Sequence, residues 1–556
     1  MTKRFGICWV VGAVALTGAC SGLIDQPPVT GNGGNGGGVI PGSGGTPGMP
    51  GVCSEAASLA PARLWRLTDE QYVNVVAQVF GVRIPPEVTE PETHPAEFTN
   101  LSELRAAETR SVAAYETAAR NAARAAVTAN LNVFLPCGTA SPPESCVAEF
   151  IRNRIARAFG RPLTNTEVSD LLGIYRLGLM DNAATGVRLI IEAALQAPSF
   201  LYRSELGSAA AGNGKVKLSA HEVATAVAFA LYDSVPDDDL WRKANDGSLL
   251  SPPVLAAEID RLLKVPAVQA NLSKKAGFWL GVERLHSTEK DTAVFPEFTA
   301  NLKQDLYTSA QLFVQDVFTH GKIADLLTSR RMFLNANLAK LYGISGVTRA
   351  DFTGVDGPAE RGSGILTQPA VLAAFSRPNR GDPIHRGLFV YNSLVCGSEI
   401  PPPPADALAV AMTFPKDATE RELAGFRAGH SVCGTCHHLF DPLGLSTEKY
   451  DPIGRYRETD AKGPIDSSAT IKDLGADLDG PIAGLPDLVA RLKVGRRVAD
   501  CAATNLAVFV LGRTVQGDNS CALQRVGDKF AASGSFTDYY RAMLTSPGFI
   551  TRDVGQ

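Results

Sequence analysis

The sequence predicts a mainly α-helical protein of several domains. Its 556 residues are enough for about three or four domains of ordinary size. The hydrophobic fraction is 45%, which excludes disorder throughout the chain, a collagen repeat and a simple coiled coil. Helix-start signals recur along the chain, whereas clear strand alternation is scarce.

The first helices are marked by capping residues. Thr68 is the expected N-cap of a helix that runs to Phe80. Residues 103–130 are rich in Ala, Glu and Arg and predict a long amphipathic helix. Thr164 and Glu167 have the spacing of a capping box, so another helix is expected to follow them.

The middle of the chain repeats these signals. Ser219 and Glu222 form a second capping-box pattern ahead of an apolar run at 223–232. Apolar residues recur at helical spacing over 267–285 and again over 303–318. Both stretches are therefore expected to be helices.

Breaks in these patterns divide the chain. They fall near 210–215, near 353–364 and at 400–407, where four consecutive prolines favour an extended spacer. The predicted units are a signal peptide (1–19), a Gly-rich linker (20–52), an N-terminal helical domain (53–212), a central helical domain (213–352), a segment with a cysteine–histidine motif (353–470) and a C-terminal helical domain (471–556).

The N-terminus has the composition of an export signal. Lys3 and Arg4 precede an apolar stretch at 5–16, which is too short to span a membrane, and small residues follow. Cys20 comes directly after them, as in bacterial lipoprotein signals, so we expect Cys20 to be lipidated. Ser21 resembles the signal for sorting to the outer membrane. The alternative is an ordinary cleaved signal in which the cysteine is incidental.

Charge bears on the choice of partners. The net charge is −4 and becomes more negative once a signal with two basic residues is removed. Nucleic-acid-binding proteins need a basic surface, so no nucleic-acid partner is expected. A lipid anchor would instead make the membrane the first partner.

The chain has ten cysteines. Two lie in the signal region and two in the motif described next, which leaves an even number suited to three disulfides in an oxidising compartment. The expected pairs are Cys137 with Cys146, Cys501 with Cys521 and, by elimination only, Cys53 with Cys396.

The strongest chemical motif is Cys433-Gly-Thr-Cys436-His437. This spacing is the attachment signature of c-type haem. Two thiols three positions apart can add to the two vinyl groups of one haem edge, and the adjacent histidine can then bind the iron as proximal ligand. The sequence therefore predicts one covalent haem c at Cys433, Cys436 and His437.

Three other interpretations compete with haem. The two cysteines could form a redox-active disulfide, although no βαβ pattern surrounds them. With His430, His437 or His438 they could hold zinc, although a second Cys/His pair at zinc-finger spacing is missing. They could also form a structural disulfide.

The residues after the motif suggest a surround for a flat cofactor. The pattern Asp-Pro-x-Gly occurs at 441–444 and again at 451–454, and each copy predicts a tight turn. Arg455 or Arg457 could pair with a haem propionate, or could lie in a solvated loop. Met412 and Met543 are the methionines nearest the motif on either side, and either is a candidate distal ligand.

Two segments resemble the start of a metal-binding motif but lack a required residue or spacing. His221-Glu222 begins like a zinc-protease helix, but Thr225 occupies the position of the second histidine. The acidic run at 233–239 lacks calcium-loop spacing and is better explained as a solvated turn that caps the next helix.

Several segments resemble a known family, the secreted bacterial cytochrome-c-like proteins of planctomycete type, which are built of adjoining domains of unknown function. The matching segments are 66–82, 158–172, 218–240, 333–344, 361–404, 430–457 and 501–513. The resemblance implies that His430, Cys433, Cys436 and His437 are haem-region positions, and that Cys396 and Cys501 are recurring cysteines.

Together these observations predict a multi-domain helical protein with a cytochrome-c-like haem-binding segment within 353–470. The expected function is single-electron transfer by a lipoprotein of the bacterial outer membrane, facing the periplasm or the cell surface, with an unidentified redox partner protein. One alternative is a non-haem binding or scaffold lipoprotein with structural disulfides. Another is a haem-dependent oxidase or peroxidase, for which no catalytic residue can be named.

Overall fold

A computed structural model describes residues 59–85, 109–212, 214–405, 407–415, 417–515 and 521–554. These residues are mainly helical, as the sequence predicts. The predicted signal peptide, the linker, Cys20 and Cys53 lie outside the described residues. None of the described helices is both long and apolar enough to cross a membrane.

The elements follow one another in this order. The N-terminal helices are α1 (Asp69–Phe80), α2 (Thr109–Phe134), α3 (Glu144–Phe150), α4 (Ala156–Ala158), α5 (Asn165–Leu179), α6 (Ala183–Ala194) and α7 (Pro198–Leu201). The middle helices are α8 (Ala220–Tyr232), α9 (Asp238–Asn245), α10 (Pro252–Leu262), α11 (Pro266–Trp279), α12 (Ala300–His320), α13 (Asp325–Thr328), α14 (Ala336–Tyr342) and α15 (Pro369–Ala374). The last helices are α16 (Pro383–Phe389), α17 (Ala407–Ala411), α18 (Glu420–Gly429), α19 (Gly434–Leu445), α20 (Leu485–Leu492), α21 (Arg497–Leu511), α22 (Cys521–Ser533) and α23 (Phe536–Leu544).

The strands are short and pair antiparallel, some with a neighbour along the chain and some with a distant segment. The strands are β1 (Arg63–Arg66), β2 (Tyr202–Glu205), β3 (Ala209–Gly212), β4 (Lys215–Lys217), β5 (Arg331–Leu334), β6 (Thr353–Asp356), β7 (Thr459–Asp460), β8 (Gly463–Pro464), β9 (Ala469–Ile471), β10 (Gly480–Ile482) and β11 (Thr551–Asp553). The pairs are β1–β2, β5–β6, β7–β8 and β9–β10, and β11–β4–β3 form a three-stranded sheet.

The predicted helix starts are confirmed. The side chains of Thr68, Thr164 and Ser219 each accept a hydrogen bond from the backbone three residues later, and each completes a capping box. The helix expected over 267–285 is shorter. It ends at Trp279 because Gly281 has a φ of 70° and turns the chain out of the helix.

The buried side chains form two cores. One is built mainly from α1 to α6 and also includes Phe229 and Val235. The other, larger core includes Leu59 and residues from 218 to 549, among them residues of α8, α11, α12, α16, α19 and α21. The segment that carries the cysteine–histidine motif therefore shares a core with helices that precede and follow it.

Two disulfides are present in the described part of the chain. Cys137 is bonded to Cys146, as expected from their sequence proximity. Cys501, however, is bonded to Cys396, so its predicted pairing with Cys521 is wrong, and so is the pairing of Cys396 with Cys53. The physical reason is that α21 packs against the π-helical turn Val390–Leu394, which brings the Cα atoms of Cys396 and Cys501 to 5.3 Å. The side chain of Cys521 lies outside the described part of the structure.

Candidate functional site

The motif lies where α18 turns back into α19. Thr419 caps α18 with Glu422 in a capping box. At the turn, a Cβ atom on Gly434 would lie 2.8 Å from the carbonyl oxygen of Ala428, so the two helices meet closely there. We call α18, α19 and the residues between them the motif hairpin.

The two cysteines and the histidine lie on the first turn of α19. Cys433 is the N-cap residue, and the backbone N–H of His437 donates to the Cys433 carbonyl at 3.1 Å. Cys433 and Cys436 are half-buried thiols, and Cys436 packs against the large core. Because residues i, i+3 and i+4 share one face of a helix, the turn presents two sulfur atoms and one imidazole on the same side.

The imidazole of His437 is held by a buried carboxylate. His437 Nδ1 is hydrogen-bonded to Asp441 Oδ1 at 3.0 Å, and the Phe440 ring lies against the imidazole with 4.8 Å between centroids. Asp441 Oδ2 accepts from Arg427 Nε at 2.7 Å, and both of these side chains are buried. The arrangement engages Nδ1 in a hydrogen bond, so Nε2 is the ring nitrogen that could bind a metal ion.

The other two histidines have separate roles. His430 Nδ1 accepts from the backbone N–H of Val432 at 3.3 Å, which closes the loop before the motif. His438 Nδ1 bonds to the Gly434 carbonyl at 2.7 Å. Among the residues that the structure describes, no group of three or more His, Cys, Asp or Glu side chains is placed to hold a metal ion.

The motif hairpin packs tightly on α16. A Cβ on Gly387 would lie 2.0 Å from the Phe440 carbonyl oxygen, and one on Gly444 would lie 1.8 Å from that of Pro383. Glycine at both positions therefore allows the two helix backbones to touch.

Arg386 joins α16 to the loop that follows α19. The residue is 3% exposed. Its guanidinium donates to the carbonyl oxygens of Leu372, Thr447, Tyr450 and Asp451 and to the Ser376 hydroxyl. One buried cation thus fixes the end of α15 against the chain that leaves the motif hairpin.

The two Asp-Pro-x-Gly segments differ, and one predicted turn is wrong. Residues 441–444 continue α19, with Pro442 inside the helix. Residues 451–454 form the expected turn, in which the backbone N–H of Gly454 donates to the Asp451 carbonyl at 3.0 Å. The helix continues through the first copy because Asp441 and Gly444 are fixed by contacts with α18 and α16.

The arginines after the second turn have protein partners. Arg455 Nε donates to Asp451 Oδ2 at 2.7 Å, and its Nη1 pairs with Glu297. Arg457 Nη2 donates weakly to the Glu448 carbonyl oxygen at 3.4 Å. The expected pairing of one of them with a haem propionate therefore stays a prediction.

The candidate methionine ligands lie in different surroundings. Met412 is 75% exposed just after α17. Met543 is fully buried in α23, which packs mainly on α10, α12 and α22. The contacts of α23 account for Met543 as a core residue, and a distal-ligand role for either methionine stays a prediction.

Two further carboxyl groups, one in the motif hairpin and one just after it, are largely buried. Glu448 is 6% exposed, and burial raises its pKa to about 7. Glu420, the first residue of α18, also has a raised pKa because of burial. Sequence reasoning missed both, together with Arg386, Arg427 and the role of Asp441. Only Asp441 carried a signal, since it lies four residues after His437 and shares its helix face.

The family comparisons assign three segments. Residues 146–205 match PSD5, a protein of unknown function (DUF1595), and residues 218–344 match PSD4, a protein of unknown function (DUF1592). Residues 362–460, which include the motif hairpin, match PSCyt3, a protein of unknown function (DUF1588). The chain carries three adjoining domains of unknown function.

These three domains agree with the architecture expected from the sequence resemblance. No curated protein and no solved structure matches the chain. The chemistry of the domains must therefore be argued from the site itself.

Proposed function

We propose that this chain is a cell-envelope protein that holds one haem c and transfers single electrons. The observation that carries the proposal is the first turn of α19, where two thiols share one side with an imidazole whose Nδ1 is held by the buried Asp441 carboxylate. Cys433 and Cys436 would hold the group through thioether bonds, and His437 would supply Nε2 as the axial ligand.

The chemistry of this donor set fits haem. Ligating histidines usually donate their other ring N–H to a carboxylate or carbonyl, which fixes the tautomer, and Asp441 is placed to receive it. Arg427 balances the Asp441 charge, so the carboxylate is stable in the core. Apolar side chains are also exposed at the motif hairpin: Phe426 is 44% exposed and Val432 is 39% exposed. A large apolar cofactor would cover such residues.

The bound group would supply one-electron exchange between ferrous and ferric iron. This chain's residues would set where the exchange occurs and at what potential. The Asp441 carboxylate makes the His437 imidazole a stronger electron donor, and the packing of α16 on α19 keeps the turn rigid.

The location is part of the proposal. A lipoprotein signal with Cys20 as the lipidated residue would tether the protein to the outer membrane. Two disulfides within the described residues support folding in an oxidising compartment, where c-type haem is attached. The membrane and a redox partner protein are then the expected partners.

Pyridine haemochrome spectra of the exported protein test the proposal. The wild type should give the spectrum of a covalent c-type haem that remains with the polypeptide after denaturation. Cys436→Ala should lose the two-thioether spectrum, whereas Cys137→Ala, which removes a remote disulfide, should keep it. A folded, exported protein without haem would reject the proposal and favour a scaffold role.

A further inference from the structure

The contacts of the buried Glu448 carboxyl group do not explain what it contributes to the fold. Glu448 follows α19, and its side chain lies against the backbone of the segment that leads into α16. A Cβ atom on Gly381 in that segment would lie 2.9 Å from Glu448 Oε1. That oxygen has no hydrogen-bond partner, and Glu448 forms no ion pair with any residue the structure describes. An ionised carboxylate in this position would be costly to bury.

Charges of both signs act on Glu448. Arg386 and Arg457 favour its ionisation, whereas Glu420 and Asp382 oppose it. The two Nη atoms of Arg386 are already committed to carbonyl and hydroxyl oxygens, so Arg386 attracts the carboxylate without pairing with it. Burial dominates, and the pKa of Glu448 is raised to about 7.

Charged groups near Glu448 also lie near the residues that hold His437, and Glu420 is the first of them. The charged groups that face Glu420 are Arg380, Arg377, Asp382 and Arg427. Arg427 is the link, because its Nε also donates to Asp441, which holds His437 Nδ1. A change of charge at the motif would act on Glu448 through Asp441, Arg427 and Glu420, and buried groups of this kind are screened weakly by solvent.

We propose that Glu448 is the proton-accepting residue of the motif site and couples proton uptake to the arrival of an electron. The inference rests on the proposed function. One electron comes from a reduced one-electron carrier, which is oxidised, and one proton comes from solvent. The new O–H bond forms on the Glu448 carboxylate, so the buried region gains no net charge. The proton returns to solvent when the electron leaves.

The midpoint potential of the exported, haem-loaded protein tests this coupling. The potential should fall as the pH rises between about pH 6 and 8, the range in which a carboxyl of pKa about 7 titrates. Glu448→Gln should lose most of this dependence. Glu458→Gln, at a side chain that is 70% exposed, should keep it.

A second variant covers the case in which Glu448→Gln fails to fold. Glu420→Gln removes a neighbouring negative charge and keeps the Glu448 carboxyl, so it should move the pH-dependent range to lower pH. A haem-loaded protein whose potential does not vary with pH would overturn the coupling alone. An exported protein without covalent haem would overturn the proposed function and the coupling together.

Discussion

The same four-residue pattern adopts two different structures ten residues apart. Asp-Pro-Leu-Gly at 441–444 lies inside α19, whereas Asp-Pro-Ile-Gly at 451–454 is a turn. In the turn, Asp451 Oδ1 accepts from the backbone N–H groups of Ile453 and Arg455, and Gly454 has a φ of 83°. This is the structure that the local sequence favours.

In the helix, the aspartate and the glycine of the pattern are held by other elements. Asp441 is bonded to Arg427 and His437 and does not cap its own backbone. Gly444 lies where the backbone of α16 leaves no room for a Cβ atom. The comparison shows that tertiary contacts around the motif override a local turn signal, which is expected where a site is built.

Arg386 should give the largest effect, because it connects α16 to the chain between the two copies of the pattern. Arg386→Met leaves several buried carbonyl oxygens without donors, so the free energy of unfolding should fall by about 3–5 kcal/mol. Arg455→Met removes a half-exposed arginine that directly follows the turn at 451–454, and it should lower the free energy of unfolding by about 1 kcal/mol or less. Urea unfolding of the two variants tests this difference, and equal losses would contradict it.

Substitutions of Asp441 and Asp451, the first residues of the two copies, should distinguish an effect on the site from an effect on stability alone. Asp441→Asn leaves Arg427 buried without its ion-pair partner, and we expect a loss of about 3 kcal/mol. It should also raise the midpoint potential by tens of millivolts, because the imidazole of His437 becomes a weaker donor. Asp451→Asn should lower stability by about 1 kcal/mol and leave the potential unchanged. A shift of potential in Asp451→Asn alone would show that the helix copy is not the functional one.

The titration of Glu448 should make the stability of the protein depend on pH. Since its folded pKa is about 7 and its ordinary pKa is near 4.5, the folded state binds more protons between those values, and stability falls as the pH rises through that range. Glu448→Gln should remove roughly 2–3 kcal/mol of this fall between about pH 5 and 8. Denaturant unfolding at both pH values measures it, with Glu458→Gln as control. An unchanged pH slope in Glu448→Gln would assign the titration to another group.

The two prolines should give the smallest effects, of opposite sign. Pro442 has no N–H to donate within α19, so Pro442→Ala should raise the free energy of unfolding by about 1 kcal/mol. Pro452 presets the turn, so Pro452→Ala should lower it by a similar amount, about 1 kcal/mol. Thermal unfolding compares them, and the same sign for both would mean that the two copies are closer in structure than described.

Much of the helical fold could be predicted from the sequence because it depends on neighbours. The capping residues Thr68, Thr164 and Ser219 act on groups three residues away, and each begins a helix as expected. The motif cysteines and His437 were also recognisable, because their spacing is a local property.

The remaining features depend on contacts between distant residues. Cys396 and Cys501 are separated by 105 residues, and only the packing of α21 brings them together. Nothing in the sequence near Arg386 or Arg427 distinguishes them from surface arginines, yet both are buried. The raised pKa of Glu448 likewise arises from burial that no local pattern reports.

The most direct test is mass spectrometry of the peptide that contains Cys433 and His437, taken from exported protein without reduction. The account predicts that this peptide carries the mass of one haem, bound through both sulfur atoms. A peptide without the adduct, in which Cys433 and Cys436 are joined to each other, would contradict it.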